Sequence, residues 1–434
     1  MAAEAGSAEV EFLVIDFTDW FFQIPLHHQE RKHFVATYNG TYIVFLTMAQ
    51  GSVNAPLVCG RVAAFVARLT QSLFVRTELR LQLYVDDPLM AAAGSRSDRD
   101  LSFATVILLW AGLGIKLAYK KAERGHAITW IGASLKVDNN GTWDAQITAS
   151  AKQEIVDEVR DTALSMLESN VIAFKQVQSF LGKANHIAGI VESWRPFLQD
   201  MWGAVGAYLR GERGAAPPGC IWSKQVAGAL RWILSFYKHA ETSIVRVFVM
   251  SVYFGEGDQV HITTDASPWG IGGCLSLNGQ VVEYFADALT ARDAETFGHP
   301  LGDSSGQQVW EALVMLVALR LWEATWKKSG VTLMVRSDSI STLTLRHKLR
   351  PAVSSPALGL IARELAIDLG TSAYKPRFLQ HIPGLANAVA DALSRLAAPG
   401  HGAPPHPALR HALRRAAPAR ELDFFRARAP PASH

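Results

Sequence analysis

Cysteine is scarce in this sequence: 434 residues contain only Cys59, Cys220 and Cys274. An odd, widely spaced set argues against a disulfide framework and a thiolate zinc site, and it suits a reducing compartment. Long apolar runs are missing too. The longest candidate, Ala312 to Trp322, is interrupted by Arg320, well short of the about 18 apolar residues that span a bilayer. The first residues, MAAEAGSAEVEF, lack the basic start and apolar stretch of a signal peptide. The expectation is a cytoplasmic or nuclear protein with no membrane partner. Charge of one sign is not in excess either, since 42 Lys and Arg stand against 39 Asp and Glu. Six arginines against Glu421 and Asp423 put +4 of the +3 total on residues 397–434, which leaves the body near −1. That balance neither supports nor excludes a nucleic-acid partner, because basic groups for that purpose concentrate in one groove.

What is present is chain enough for two or three cores. Apolar alternation marks strands at Phe12–Ile15, ending on Asp16, and at Leu81–Val85 and Leu89–Ala92 around Asp86-Asp87. Pro56–Leu73 has helical spacing, Ile128–Leu135 reads as one strand, and 151–209 reads as helical with Phe174, Val177, Phe180 and Leu181 on one face. Gly211–Gly219 reads as a linker. A new unit opens at Val260, with strands at His261–Thr264, Cys274–Leu277 and Val281–Phe285 and a helix at Gln307–Trp326. A strand at Val331–Arg336, helices near 339–347 and 356–369, a strand at Arg377–Gln380 and a helix from Asn387 follow. From Ala397 the composition falls to Ala, Pro, Arg and His without periodicity. This predicts a disordered tail with weak, salt-sensitive affinity for nucleic acid.

Adding a nucleotide to a primer needs two divalent ions, and two ions roughly 4 Å apart need several carboxylates on rigid backbone. Asp16 at a strand end and Asp86-Asp87 in a hairpin turn fit that need, although Asp-Asp alone is equally a turn signal. Their neighbours carry the distinction. VIDFTDWFFQIPL (14–26), MAQGSVNAP (48–56), YVDD (84–87), GIKLAYKKA (114–122) and WIG (130–132) resemble, in order, the motifs of reverse transcriptases, with gypsy-like and DIRS-like retrotransposons nearest. The resemblance covers roughly 12–135. It implies Asp16, Asp86 and Asp87 as metal ligands and Phe21 as the aromatic gate against a ribose 2′-hydroxyl. It also implies Gln50 and Gly51 beside the incoming nucleotide and template, and Lys121, or Lys120, near the triphosphate. Asp19 reads as a turn residue. Two features depart from the family. Trp20 stands where a small residue is usual, so the indole either blocks the pocket or is absorbed by repacking. Only fifteen residues precede Asp16, so the fingers region is expected to be missing and polymerisation by this chain to be weak.

Hydrolysis of the RNA strand of a hybrid also uses two metals, with water as nucleophile. Asp265 ends a strand in HITTDASPWGIGG (261–273), Glu311 lies in QQVWEALVMLVAL (307–319), Asp338 follows VTLMVRSDS (331–339), and Asp391 lies in HIPGLANAVADALSR (381–395). A carboxylate in so apolar a helix as that of Glu311 is exposed, paired, or aimed at an ion. The four acids resemble, in order, the metal-binding set of the ribonuclease H family over roughly 258–396. His381 reads as structural, and Gln380 and Arg395 as candidate contacts to the hybrid backbone.

The combined expectation is an α+β chain. A reverse transcriptase palm, an antiparallel sheet with helices, would occupy 1–135, and a helical thumb or connection-like region 136–257. The latter includes QSFLGKANHIAGIVESWRPFL (178–198), with Lys175, Lys183, His186 and Arg195 as candidate phosphate contacts. A ribonuclease H-like α/β domain would occupy 258–396 and the disordered tail 397–434. The resemblance implies RNA-directed DNA synthesis with hybrid-specific RNA cleavage, using two Mg²⁺ or Mn²⁺ ions at each site. The partners would be an RNA template, a DNA primer, the RNA–DNA hybrid and deoxynucleoside triphosphates. The competing reading is a truncated relic with a dead palm, left with ribonuclease H alone or with nucleic-acid binding.

Overall fold

The computed structural model describes residues 9–138, 146–212, 216–238, 244–249, 257–327, 331–350, 355–370, 378–400 and 406–428. The chain divides into two compact units, Met1–Ala149 with Phe248–Ser251, and Ser150–Val247 with Val252–His434. Among the described residues no helix is long and apolar enough to cross a membrane.

In the first unit β1 (Val10–Val14) is buried along almost its whole length because it is an inner strand. It is followed by the short α1 (Trp20–Gln23) and by an exposed hairpin of β2 (Val35–Tyr38) and β3 (Thr41–Val44). Next come α2 (Ala55–Gln71), started by Pro56 in its first turn, β4 (Leu79–Tyr84) and β5 (Asp87–Ala93). Ser95 and Asp98 form a reciprocal cap on α3 (Arg96–Gly112), and β6 (Glu123–Gly125) completes an antiparallel sheet of order β4-β5-β1-β6. Cys59, Ala63 and Val66 of α2 and Phe103, Val106 and Trp110 of α3 join Leu13, Ile15, Leu79 and Met90 in one core. The single strand expected at 128–135 is instead a hairpin, β7 (Ala127–Trp130) and β8 (Ala133–Asp138). Its two-residue turn is Ile131 and Gly132, with φ of 42° and 80°. Isoleucine is a poor residue for a positive φ, so the turn leaves no compositional trace.

Strands β9 (Gln146–Ala151) and β12 (Val245–Val249) fall at the sequence junctions between the units. The second unit begins with α4 (Gln153–Glu168), a small antiparallel pair of β10 (Val171–Ala173) and β11 (Cys220–Trp222), and α5 (Phe174–Ile190), α6 (Arg195–Leu209) and α7 (Ala227–Lys238). The expected continuous helical region is thus three helices with β10 between the first two. Residues 213–215 of the expected linker lie outside the described residues.

The remaining sheet is a meander of β13 (Asp258–Ala266), β14 (Gly270–Leu277) and β15 (Gln280–Ala288), followed by α8 (Ala291–Phe297), α9 (Gln307–Leu321) and α10 (Glu323–Trp326). Strand β16 (Val331–Ser337) runs parallel to β13. After α11 (Ile340–Lys348) and α12 (Pro356–Gly370), β17 (Phe378–His381) runs parallel to β16, and α13 (Ala388–Ser394) closes the expected set. Residue 377, expected in that last strand, lies outside the described residues. Helix α9 is buried on every side from Val309 to Leu319, as its lack of a polar face requires. One apolar cluster contains Trp194, Phe197 and Ile233 together with Trp310, Leu333 and Ile361. The boundary expected at 257/258 therefore does not separate two cores.

The tail expected to be disordered is described over 397–400 and 406–428, and the latter part is packed on the body; residues 401–405 and 429–434 lie outside the described residues. Strand β18 (Leu413–Arg414) adds in parallel to β15 and gives the sheet the order β17-β16-β13-β14-β15-β18. Leu409, Arg420, Phe424, Phe425 and Ala427 are buried. A few anchors spaced along an otherwise polar strap hold it in place, and composition averages them away.

Strand β14 fits against α13 only because it is glycine there. A Cβ on Gly272 would lie 2.5 Å from Leu393 Cβ and 2.6 Å from Ser394 N. Gly272→Ala is expected to cost about 1–3 kcal/mol through overpacking. Gly203→Ala, in α6 with nothing within 4 Å of the new methyl, is expected to gain about 0.5–1 kcal/mol. Thermal unfolding of the two variants checks both signs.

Candidate active sites

The end of β1 and the β4–β5 turn are tied together by backbone. Phe17 N donates to Asp86 O over 3.0 Å, and Ala118 N donates to Asp16 O over 2.9 Å. Gln23 adds a clamp, its side chain donating to Thr18 O and accepting from Lys116 N. The turn itself is strained. Tyr84 pairs with Asp87, so Val85 and Asp86 form the loop, and the β-branched Val85 has φ of 57°. Asp16, Asp86 and Asp87 are all half-buried. Burial, then the charges of Asp86 and Asp16, push the Asp87 carboxyl up to about 6, and Lys121 opposes them. Lys121 Nζ lies 3.2 Å from Asp16 Oδ2, whereas for Lys120 no such pair is found among the described residues. A cavity of about 300 Å³ is lined by Asp16, Phe21, Gln50, Asp86 and Lys121 among others; Gly51 and Asp87 are not part of its lining.

Trp20 is 3% exposed. Its ring packs 4.8 Å from that of Phe17, which in turn meets Trp110 edge-on. The indole is thus absorbed into the core, and Trp20 forms part of the cavity wall. The accommodation is imperfect, because Trp20 Nε1 is buried without a hydrogen-bond partner. Asp19 has φ of 48° at the N-terminus of α1, a turn position for which Asp is well suited.

In the second unit β13 and β16 run in parallel register, with Thr263 opposite Arg336. Asp265 and Asp338 therefore emerge at the same level, and α9 brings Glu311 across the sheet to meet them. Ligand oxygens of these three acids all lie within 4.8 Å of one another, the one such group found among the described residues. Asp265 is 5% exposed and Glu311 6%. Burial first, then Asp265 and Asp338, push the Glu311 carboxyl up to about 8, although Gln307 and the Ala266 N–H donate to it. Burial likewise lifts Asp265 to about 6, with Asp338 and Asp391 adding to the effect and a hydrogen bond from Ser394 opposing it. Glu311 Oε2 is buried with no partner. Three converging acids with an unpaired buried oxygen fit a divalent cation, which would supply the charge the site lacks. Asp391 stands outside the compact trio, its Oδ1 2.8 Å from Arg395 Nε. His381 Nε2 lies 3.1 Å from the Asp338 carbonyl oxygen, and Gln380 accepts from Arg336.

Three residues at this site carried no signal by themselves. Gln307 precedes Glu311 by one helical turn, Asn387 precedes Asp391 by one turn, and Ser394 follows it by three residues. That spacing on a helix that already carries an acid is the clue a sequence reading could have used.

Residues 2–136 match the family model described as reverse transcriptase (RNA-dependent DNA polymerase). The Gag-Pro-Pol polyprotein of squirrel monkey retrovirus is 26% identical over 132 residues, which is 28% of this chain and 7% of the polyprotein. A foamy viral protease–reverse transcriptase in complex with an RNA/DNA hybrid is similar at a TM-score of 0.44 and 16% identity, over 88% of this chain and 45% of that one. A second foamy viral structure, with double-stranded DNA, gives a TM-score of 0.43 and 18% identity over 86% and 56%. The chain thus spans a small part of the curated relative and about half of these solved chains.

Proposed function

We propose that this chain, whose residues 2–136 match the reverse transcriptase family model, carries out RNA-directed DNA synthesis at Asp16, Asp86 and Asp87 and cleaves the RNA of RNA–DNA hybrids at Asp265, Glu311, Asp338 and Asp391. The gypsy-like or DIRS-like lineage is part of this reading. The observation that carries the second activity is the compact group of Asp265, Glu311 and Asp338. Divalent ions, Mg²⁺ or Mn²⁺, would there supply an activated water and neutralise charge at the scissile phosphate. Asp265 and Asp338 would hold them from the sheet and Glu311 from α9, with Asp391 at the rim. In the first site Phe21 would face the sugar of a deoxynucleoside triphosphate, Gln50 and Gly51 would border the template base pair, and Lys121 would leave Asp16 for the triphosphate. An RNA template, a DNA primer and their hybrid are the corresponding partners. Against the relic reading stands Trp20, which is buried beside Phe17 and lines the cavity without filling it.

Two assays on the full chain test both halves, primer extension on an RNA template and cleavage of a labelled hybrid, each with and without Mg²⁺. Asp86→Asn is expected to stop extension and spare cleavage, and Asp265→Asn to do the opposite. Extension that survives Asp86→Asn, or cleavage that survives Asp265→Asn, removes the corresponding assignment.

A further inference from the structure

The geometry points to Ser394 and Asn387 as positioning residues that fix the Asp265 carboxylate in one orientation for a divalent ion. This inference rests on the reading of Asp265, Glu311 and Asp338 as a metal site, and it extends that site to two uncharged side chains.

Ser394 is fully buried and its hydroxyl lies 2.6 Å from Asp265 Oδ2. The same oxygen lies 2.9 Å from the Asp391 carbonyl, but a hydroxyl has one proton, and the charged, nearer acceptor takes it. The helix end that carries Ser394 cannot draw back. Ser267 Oγ donates to Ser394 O over 2.7 Å, so the β13–β14 turn holds it from one side. On β14, a Cβ at Gly270 would lie 2.7 Å from Ser394 O, and one at Gly272 would lie 2.6 Å from Ser394 N. The glycines let the helix end approach to this depth.

Asn387 is 1% exposed. Its amide nitrogen donates to Thr264 O over 3.2 Å and to Asp265 Oδ1 over 3.3 Å. Its own Oδ1 is buried without a partner. Turning the amide over would set that oxygen against two acceptors, so the orientation is determined by what the nitrogen serves. The unpaired oxygen is the consequence of pointing a donor at Asp265.

Each oxygen of Asp265 therefore receives one donor, and both donors come from the segment that carries Asp391. Without them a buried carboxylate facing Asp338 and Asp391 would rotate away from its neighbours or take up a proton. Partners that orient a metal-binding carboxylate typically contribute 10- to 100-fold in metal affinity.

The test is calorimetric titration of Mn²⁺ into the full chain, reading the component of the isotherm that Asp265→Asn removes. Ser394→Ala is expected to weaken that component about 10-fold or more. Ser394→Thr, which keeps the hydroxyl, should recover part of the loss, and Ser394→Ala should add nothing further in the Asp265→Asn background. Hybrid cleavage should follow as a raised Mn²⁺ requirement, with the rate at saturating metal less affected. If Ser394→Ala does not fold, Asn387→Ala decides by the same reading. Unchanged Mn²⁺ affinity in folded Ser394→Ala and Asn387→Ala chains overturns the positioning role while the metal site stands. A full chain that has no Asp265-dependent component at all overturns the metal site and this inference together.

Discussion

Glu311→Gln is expected to lower metal-dependent hybrid cleavage by roughly two or more orders of magnitude and, in the absence of metal, to make the protein more stable above neutral pH. The two effects have one cause. Glu311 is buried against Asp265 and Asp338, and its carboxyl is pushed up to about 8 from an ordinary 4.5. Between those values the folded protein keeps a proton that the unfolded chain releases. Stability is therefore full below about pH 4.5 and is lost as pH rises through about 8, with a slope that approaches about 1.4 kcal/mol per pH unit. Glutamine has no proton to lose. Its carbonyl oxygen can still accept from Gln307 and Ala266, and its amide can donate to the carboxylates that repelled the glutamate. At pH 8 an advantage of about 4 kcal/mol would raise the melting temperature by roughly 8–16 °C, shrinking to about 1 kcal/mol near pH 5. Excess Mg²⁺ should reverse the order, because an ion that binds the folded state stabilises the wild-type chain and finds little in the variant. Melting curves at pH 5 and pH 8, with and without Mg²⁺, check all three statements. Identical curves for the two chains at both pH values would mean that the three acids do not share a site.

The candidate acids of both sites could be picked out in the sequence because the motifs around them resemble known families, and because several of them stand near strand ends or interrupt an apolar helix. Asp16 lies two residues past the end of β1 and Asp265 next to the end of β13, while Glu311 is the one acid in the otherwise apolar buried stretch of α9. Their donors were not legible. Ser394 and Asn387 are ordinary residues for a helix end, and their role appears only when the sheet brings Asp265, more than 120 residues away, to within hydrogen-bond distance. The fate of Trp20 was open for a similar reason, since volume alone cannot say whether a ring fills a pocket or forms its wall. The core shared across 257/258 leaves no trace in the sequence, because an apolar face such as Phe174, Val177, Phe180 and Leu181 does not disclose the partner it meets. Local chemistry carries into the sequence, whereas packing between distant segments does not.

Arg420→Ala is expected to destabilise the second unit by about 3–5 kcal/mol, which contradicts the free tail that composition suggests. Arg420 is 7% exposed, and the Asp293 it serves is 1% exposed. Its guanidinium donates to both carboxylate oxygens of Asp293 at 2.9 and 3.0 Å, to Asp287 at 2.6 Å and to Ala288 O at 2.7 Å. Asp293 also caps α8 by accepting from Thr290 N and Oγ1, so it cannot turn outward to water without uncapping that helix. Among the described residues Arg420 is the one cation paired with it. Removal leaves a charge that is buried, fixed and uncompensated, and this costs far more than the pair contributes when intact. The melting temperature should fall by roughly 6–20 °C. Arg420→Lys should recover little, because an ammonium cannot fork across two oxygens and reach Asp287 as well. Asp293→Asn in the Arg420→Ala background should recover more, because it removes the stranded charge while keeping a cap. Deleting 406–434 goes further. It strips Phe424 and Phe425 from the core and takes the Arg426 partner from Glu364 and Asp368. It also leaves the edge of β15 open to pairing with another chain. The deleted chain should therefore both melt lower and associate on size-exclusion chromatography. A deletion that leaves melting temperature and monomer content unchanged would show that the strap contributes nothing to holding the fold.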